Sequence, residues 1–164
     1  MSLRDIVKWP DPRLSQVCDP VGEITDEIRT QAQDMLDTMY NAPGRGLAAP
    51  QIGVMNRLLV TDVSWKEGTP DPQVFINPEV LELSDTQVES EEGCLSIPGV
   101  TTNVTRPDHV HLVWTSLDGA RVSQVFTGFA AACVQHELDH LNGIVTFDRL
   151  SPEARAVAEA EYAA

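Results

Sequence analysis

Where the chain carries helical apolar spacing, and where it carries strand spacing, restricts its fold more than any other feature. Helix-period apolar residues sit near the two ends and strand-like runs fill the middle, with no alternation between the two. Residues 26–40 place Ile28, Ala32, Met35, Leu36 and Met39 on one face, as an amphipathic helix requires. Thr25 stands where an N-cap belongs, Asp26 and Glu27 fill the first turn, and Asn41-Ala42-Pro43-Gly44 ends the run. Residues 57–63 read as a buried strand, and residues 74–76 and 80–83 as two short strands either side of Asn77-Pro78. In residues 109–115, Val110, Leu112 and Trp114 recur at period two; Asp118-Gly119 supplies a hairpin turn and residues 121–126 the return strand. Gly128 opens a second helix over residues 129–141, closed by Asn142-Gly143. Without βαβ alternation this is an α+β pattern. No repeat or long linker divides the 164 residues, so one domain over residues 1–164 is expected.

Charge narrows the partners. Eleven Lys and Arg face 25 Asp and Glu, a net charge of −14, which argues against nucleic acid or an anionic membrane because little would neutralise phosphates. No apolar run reaches the ~20 residues of a membrane span. Residues 1–14, broken by Pro10 and Pro12, lack the apolar stretch of a signal peptide. Cys18, Cys94 and Cys133 are too few, and odd in number, for a disulfide framework. A soluble, cytoplasmic protein is expected.

Within the second helix runs Gln135-His136-Glu137-Leu138-Asp139-His140, an H-E-x-x-H match. Residues four apart on a helix face the same way. Two imidazoles so placed hold one metal ion, and the adjacent Glu137 reaches a water beside it. Spacing narrows the third ligand. A metzincin pattern would need His at position 146, where Thr146 stands, and no His or Cys follows His140. Glu159 and Glu161 lie in the last six residues, where fraying is expected. Cys133 and His140 would stand ~10 Å apart along the helix axis, too far to share an ion with His136, so Cys133 is expected to line the site. His109 and His111 fall on the face of their strand opposite Val110, Leu112 and Trp114. Cys94 remains the best choice, in a Gly- and Pro-punctuated segment expected to form an irregular loop. A Cys-His-His set leaves a position open, as catalytic metal sites do.

The chain resembles the peptide deformylase family through three motifs in order: Gly44-Arg45-Gly46-Leu47-Ala48-Ala49-Pro50-Gln51, Glu92-Gly93-Cys94-Leu95-Ser96, and the H-E-x-x-H segment. Trp9-Pro10-Asp11-Pro12-Arg13-Leu14 is similar to the family's N-terminal signature. The resemblance implies an α+β fold with the H-E-x-x-H helix packed between antiparallel sheets. It implies one divalent metal ion, Fe(II) by family preference, with Zn(II), Ni(II) or Co(II) as alternatives, on Cys94, His136 and His140. It further implies removal of the formyl group from N-formylmethionyl peptides or nascent chains, with Glu137 as general base and the Gln51 amide and Leu95 N–H as oxyanion donors. Gly44, Arg45, Gly46, Leu47, Gly93, Phe129, Ala132 and Cys133 would contact the substrate. Two other readings fit: a related metalloamidase with another acyl or peptide specificity, and a metal-binding paralogue without catalysis.

Some positions depart from the family pattern. Arg45 replaces a small apolar residue and Pro43 a common acidic one, Thr101 and Thr102 stand where Arg is frequent, and Ala132 is smaller than usual. These departures bear on substrate preference. Residues 151–164 carry Glu153, Glu159 and Glu161 against Arg155, unlike the basic C-terminal helix that some members extend toward the ribosome.

Overall fold

The computed structural model describes residues 2–164; Met1, part of the expected 1–164 domain and of the stretch read for a leader, lies outside them. Helix α1 (Asp26–Asn41) starts where the Thr25 side chain accepts the Ile28 N–H, satisfying one of the amides that a helix start leaves unpaired. Strands β1 (Gly46–Ala48), β2 (Leu58–Thr61), β3 (Gln73–Leu83), β6 (His109–Thr115) and β7 (Arg121–Thr127) form an antiparallel sheet in the order β1-β2-β3-β6-β7.

Successive strand residues face opposite sides, and β2 is buried on both. Leu58 and Val60 join Ala32, Met35, Leu36 and Met39 of α1. Leu59 joins Phe75, Leu112, Trp114 and, from α2 (Gly128–Leu141), Ala131, Val134, Leu138 and Leu141. Each such Leu contributes ~1.5–3 kcal/mol by leaving water. The two helices therefore clasp the sheet from opposite faces. A ribbon of β4 (Gln87–Cys94) and β5 (Ile97–Pro107) packs on α2 from its other side, so the H-E-x-x-H helix lies between two antiparallel sheets in an α+β fold.

Three details differ from the sequence reading. Residues 74–76 and 80–83 are one strand, β3, because Asn77 takes φ 51° and the register shifts between Ile76 and Glu79. Cys94 does not sit in an irregular loop; it ends β4 and pairs with Ile97 across a tight turn. The C-terminus does not fray. Helix α3 (Pro152–Ala163) joins a third cluster with Leu14, Ile97, Val100, Val145 and Phe147. The Tyr162 hydroxyl donates to the Trp9 carbonyl at 2.9 Å, and Trp9 meets Phe147 edge-on at 4.9 Å, a favoured aromatic geometry. Among the described residues no helix is long and apolar enough to cross a membrane.

Candidate active site

Helix α2 supplies three groups to one place. His136, Glu137 and His140 are buried on it, with the two imidazole centroids 5.1 Å apart. The end of β4 brings Cys94 Sγ to 3.5 Å from His140 Nε2. One donor atom from each of Cys94, His136 and His140 lies within 4.8 Å of the others, a spread that a single ion can close at Zn–S ~2.3 Å and Zn–N ~2.1 Å. His109, paired with Asp108, and His111 stay on β6, outside this cluster.

A buried ionic network, not apparent in the sequence, fixes the ligand orientation. Glu92 accepts the His136 Nδ1–H at 2.9 Å and is held by Arg106 through Nε at 2.7 Å and a second nitrogen at 2.9 Å. Arg106 also donates to Asp139 at 2.8 Å, and Arg149 clamps Asp139 at 2.6 and 3.0 Å. With its Nδ1 proton on Glu92, His136 turns its other nitrogen toward Cys94 and His140, as in the carboxylate–histidine arrangement of metal sites. Burial pushes the Glu92 carboxyl up, yet the bonds from His136 and Arg106 outweigh it and hold it at about 2.

The remaining charges suit a cation. Burial disfavours charging His136, but Glu137, Cys94 and Glu92 more than offset this and raise its pKa. A spot that favours an imidazolium also favours a metal ion. His140, pushed well down by burial and by neighbouring His136, keeps the neutral form that ligates. Burial raises the Glu137 carboxyl to about 7, within the range of a general base. Its Oε1 is buried with no partner among the described residues, an orphan acceptor expected to have a function. A cysteine sulfur, two imidazoles and this carboxyl fit one bound divalent ion and a water.

The Gln51 side chain is set by its oxygen, which accepts the Ala48 N–H at 2.9 Å. Its Nε2 therefore faces the site, donating to Ser96 Oγ at 3.0 Å and lying 3.7 Å from Cys94 Sγ. Leu95 abuts Gly44: a Cβ there would come within 2.8 Å of its Cδ1. Gly46 is tighter still, since a Cβ would stand 2.6 Å from Glu137 Oε2 and 3.0 Å from Cys133 Sγ. Only glycine permits that approach. Burial keeps the Cys133 thiol protonated, and it donates to the Arg45 carbonyl at 3.6 Å.

Gly44, Arg45, Gly46, Gly93, Phe129, Ala132 and Cys133 all border a cavity of about 1040 Å³ that opens onto His136 and Glu137. Leu47 does not: its side chain is fully buried among the α1 contacts. Thr101 borders the cavity, whereas Thr102 is buried with its hydroxyl unpartnered.

A helix-borne histidine pair, a cysteine from a neighbouring strand end and an unpartnered acid at the head of a cleft define a mononuclear metallohydrolase. The model of the polypeptide deformylase family matches residues 3–156. The peptide deformylase of Afipia carboxidovorans is 48% identical over 151 residues, 92% of this chain and 88% of that protein. That of Rhodopseudomonas palustris (strain TIE-1) is 47% identical over 159 residues, 96% of this chain and 91% of its own. Among solved structures, the peptide deformylase from Legionella pneumophila superposes with a TM-score of 0.93 at 39% identity, covering 99% of this chain and 94% of that one. The enzyme from Synechococcus elongatus in complex with actinonin gives 0.93 at 37% identity, over 98% and 88%. The chain belongs to the polypeptide deformylase family and is a metal-dependent hydrolase.

Proposed function

We propose that Glu137 is the general base of a deformylation reaction run in this cleft, with Cys94, His136 and His140 holding one divalent ion. The reaction itself removes the N-formyl group from peptides, releasing formate and a free amine. The observation that carries the residue assignment is the buried, unpartnered Glu137 carboxyl beside the gathered Cys-His-His donors. When bound, the ion supplies Lewis acidity that lowers the pKa of a water and polarises the formyl carbonyl. Fe(II) is our choice by family preference, though the donor set also accepts Zn(II), Ni(II) or Co(II).

Glu137 accepts a proton from the water whose oxygen adds to the formyl carbon. It then passes that proton to the amine nitrogen as the carbon–nitrogen bond breaks. As the formyl oxygen gains charge, the Gln51 Nε2–H, oriented beforehand by the Ala48 bond, and the Leu95 N–H donate to it. β1 is an edge strand, paired on one side with β2. Its free side lets the backbone of Gly44, Arg45 and Gly46 pair with an extended N-formylmethionyl peptide. The apolar side of the cleft nearest Glu137, with Ala132 and Cys133, receives the first side chain. The whole chain acts as one catalytic unit in the cytoplasm, where Cys94 stays reduced. Formylated peptide is the partner; ribosome association stays possible but draws no support from the acidic α3.

Glu137→Gln tests the assignment, because the amide keeps the shape but cannot take the proton. Metal content should stay at the parent level while turnover of formyl-Met-Ala-Ser falls ~10²–10⁴-fold. Near-parent turnover in the metal-loaded variant would remove Glu137 from this role.

A further inference from the structure

We propose that the cleft selects formylated peptides carrying a carboxylate two or so residues beyond the formylmethionine, and that Arg45 is the residue that reads it. This rests on the deformylase reading above and adds a substrate class to it.

Arg45 is held at the rim from several directions. Its carbonyl accepts the Asp62 N–H at 2.9 Å and the Cys133 thiol at 3.6 Å, fixing the backbone between the sheet and α2. Its guanidinium lies over the Phe129 ring, 5.2 Å from the centroid, within cation–π range. One terminal nitrogen meets Glu67 at 3.0 Å, an outer partner that is 62% exposed. Its Nε–H is buried and has no acceptor among the described residues. The side chain as a whole keeps 30% of its surface exposed, and an arriving carboxylate meets that part rather than the buried Nε.

The rim as a whole is cationic although the chain carries a net charge of −14. Lys66 and Lys8 border the same cavity, whereas Glu91 is the one acid there outside the Glu92–Arg106 network and the base Glu137. Low-salt attraction of an anion into such a cleft follows from its local field, not from the net charge.

Spacing supplies the position. Phe129 precedes Glu137 by eight residues on α2, ~12 Å along the axis at 1.5 Å per residue. An extended peptide advances ~3.3 Å per residue, so about three residues separate the formyl carbon from the Arg45 guanidinium. A Glu side chain at the third residue reaches it, and so does the terminal carboxylate of a short peptide.

The test compares four peptides on the metal-loaded full chain: formyl-Met-Ala-Ala-amide, formyl-Met-Ala-Glu-amide, formyl-Met-Ala-Lys-amide, and formyl-Met-Ala-Ala with a free carboxylate. A half-exposed ion pair is worth a few-fold. The expected result is kcat/KM about two- to fivefold higher for the two carboxylate peptides than for the neutral one, through KM, with the Lys peptide lowest. The preference should shrink at high salt. Arg45→Gln should bring the acid-to-neutral ratio to about one, and Glu67→Gln, which frees Arg45, should raise it. A response of only one carboxylate arm identifies which source is read. Equal rates on all four peptides, or a preference that survives Arg45→Gln, overturns the inference. No turnover of any formyl peptide overturns instead the deformylase reading on which it rests.

Discussion

Gly46→Ala places one methyl group against the reacting machinery. The new Cβ would stand 2.6 Å from Glu137 Oε2, 2.9 Å from its Cγ and 3.0 Å from Cys133 Sγ. Restoring ordinary contact of about 3.4 Å to the carboxylate oxygen needs a shift of about 0.8 Å. Glu137 and Cys133 are both buried in α2 and the room beside them is the cavity, so relief comes by moving the carboxylate within the cleft. Overpacking of this kind costs ~1–3 kcal/mol of stability. Displacing a catalytic group by ~1 Å costs ~10²-fold in rate, equivalent to ~2.7 kcal/mol on the barrier. Turnover of formyl-Met-Ala-Ser should therefore fall about a hundredfold, mainly in kcat. Metal content should hold, because the three atoms nearest the added methyl belong to Glu137 and Cys133 and not to the ligands. Urea unfolding should show the smaller stability loss. A metal-loaded Gly46→Ala protein turning over within threefold of the parent would refute the placement of Glu137 against β1.

Three further expectations concern the metal centre and its support. Cys94→Ala should strip the ion, whereas Cys133→Ala should leave metal content near the parent value; elemental analysis showing the reverse would overturn the ligand set. Glu92→Gln removes the carboxylate that holds His136 Nδ1, and should weaken metal affinity ~10–100-fold in a chelator competition; affinity within twofold of the parent would count against it. Arg106→Leu leaves Glu92 and Asp139 as buried carboxylates facing each other without their shared cation, and should cost ~3–5 kcal/mol of stability by urea unfolding. A loss under ~1 kcal/mol would show that the network relaxes around the gap.

The site's chemistry was more legible than its support. H-E-x-x-H announces itself because ligation needs side chains four apart on a helix, and the flanking apolar residues carry that helix's own period. Cys94 was reachable by elimination, since few thiols and imidazoles were available. The ribbon that carries it was not. Along β5 the buried positions run Val100, Thr102, Val104, Arg106, so two polar residues break the apolar alternation that betrays a strand. Nothing in the local sequence marks Arg106 as buried, because its burial depends on Glu92 and Asp139, partners 14 and 33 residues away. Asn77-Pro78 read as a break because Pro lacks a ladder donor, yet β3 bulges there and continues. Leu47 belonged to a motif whose backbone faces the cleft, but strand alternation sends its side chain into the core.

Formate release from formyl-Met-Ala-Ser, beside acetyl release from acetyl-Met-Ala-Ser, by the anaerobically purified, metal-loaded protein tests the central claim most directly. The account predicts rapid loss of the formyl group, with little acetyl release, cut ~10²–10⁴-fold by Glu137→Gln and abolished by metal removal with the fold retained. Acetyl release as fast as formyl release, or formate release near the parent rate in Glu137→Gln, would contradict it.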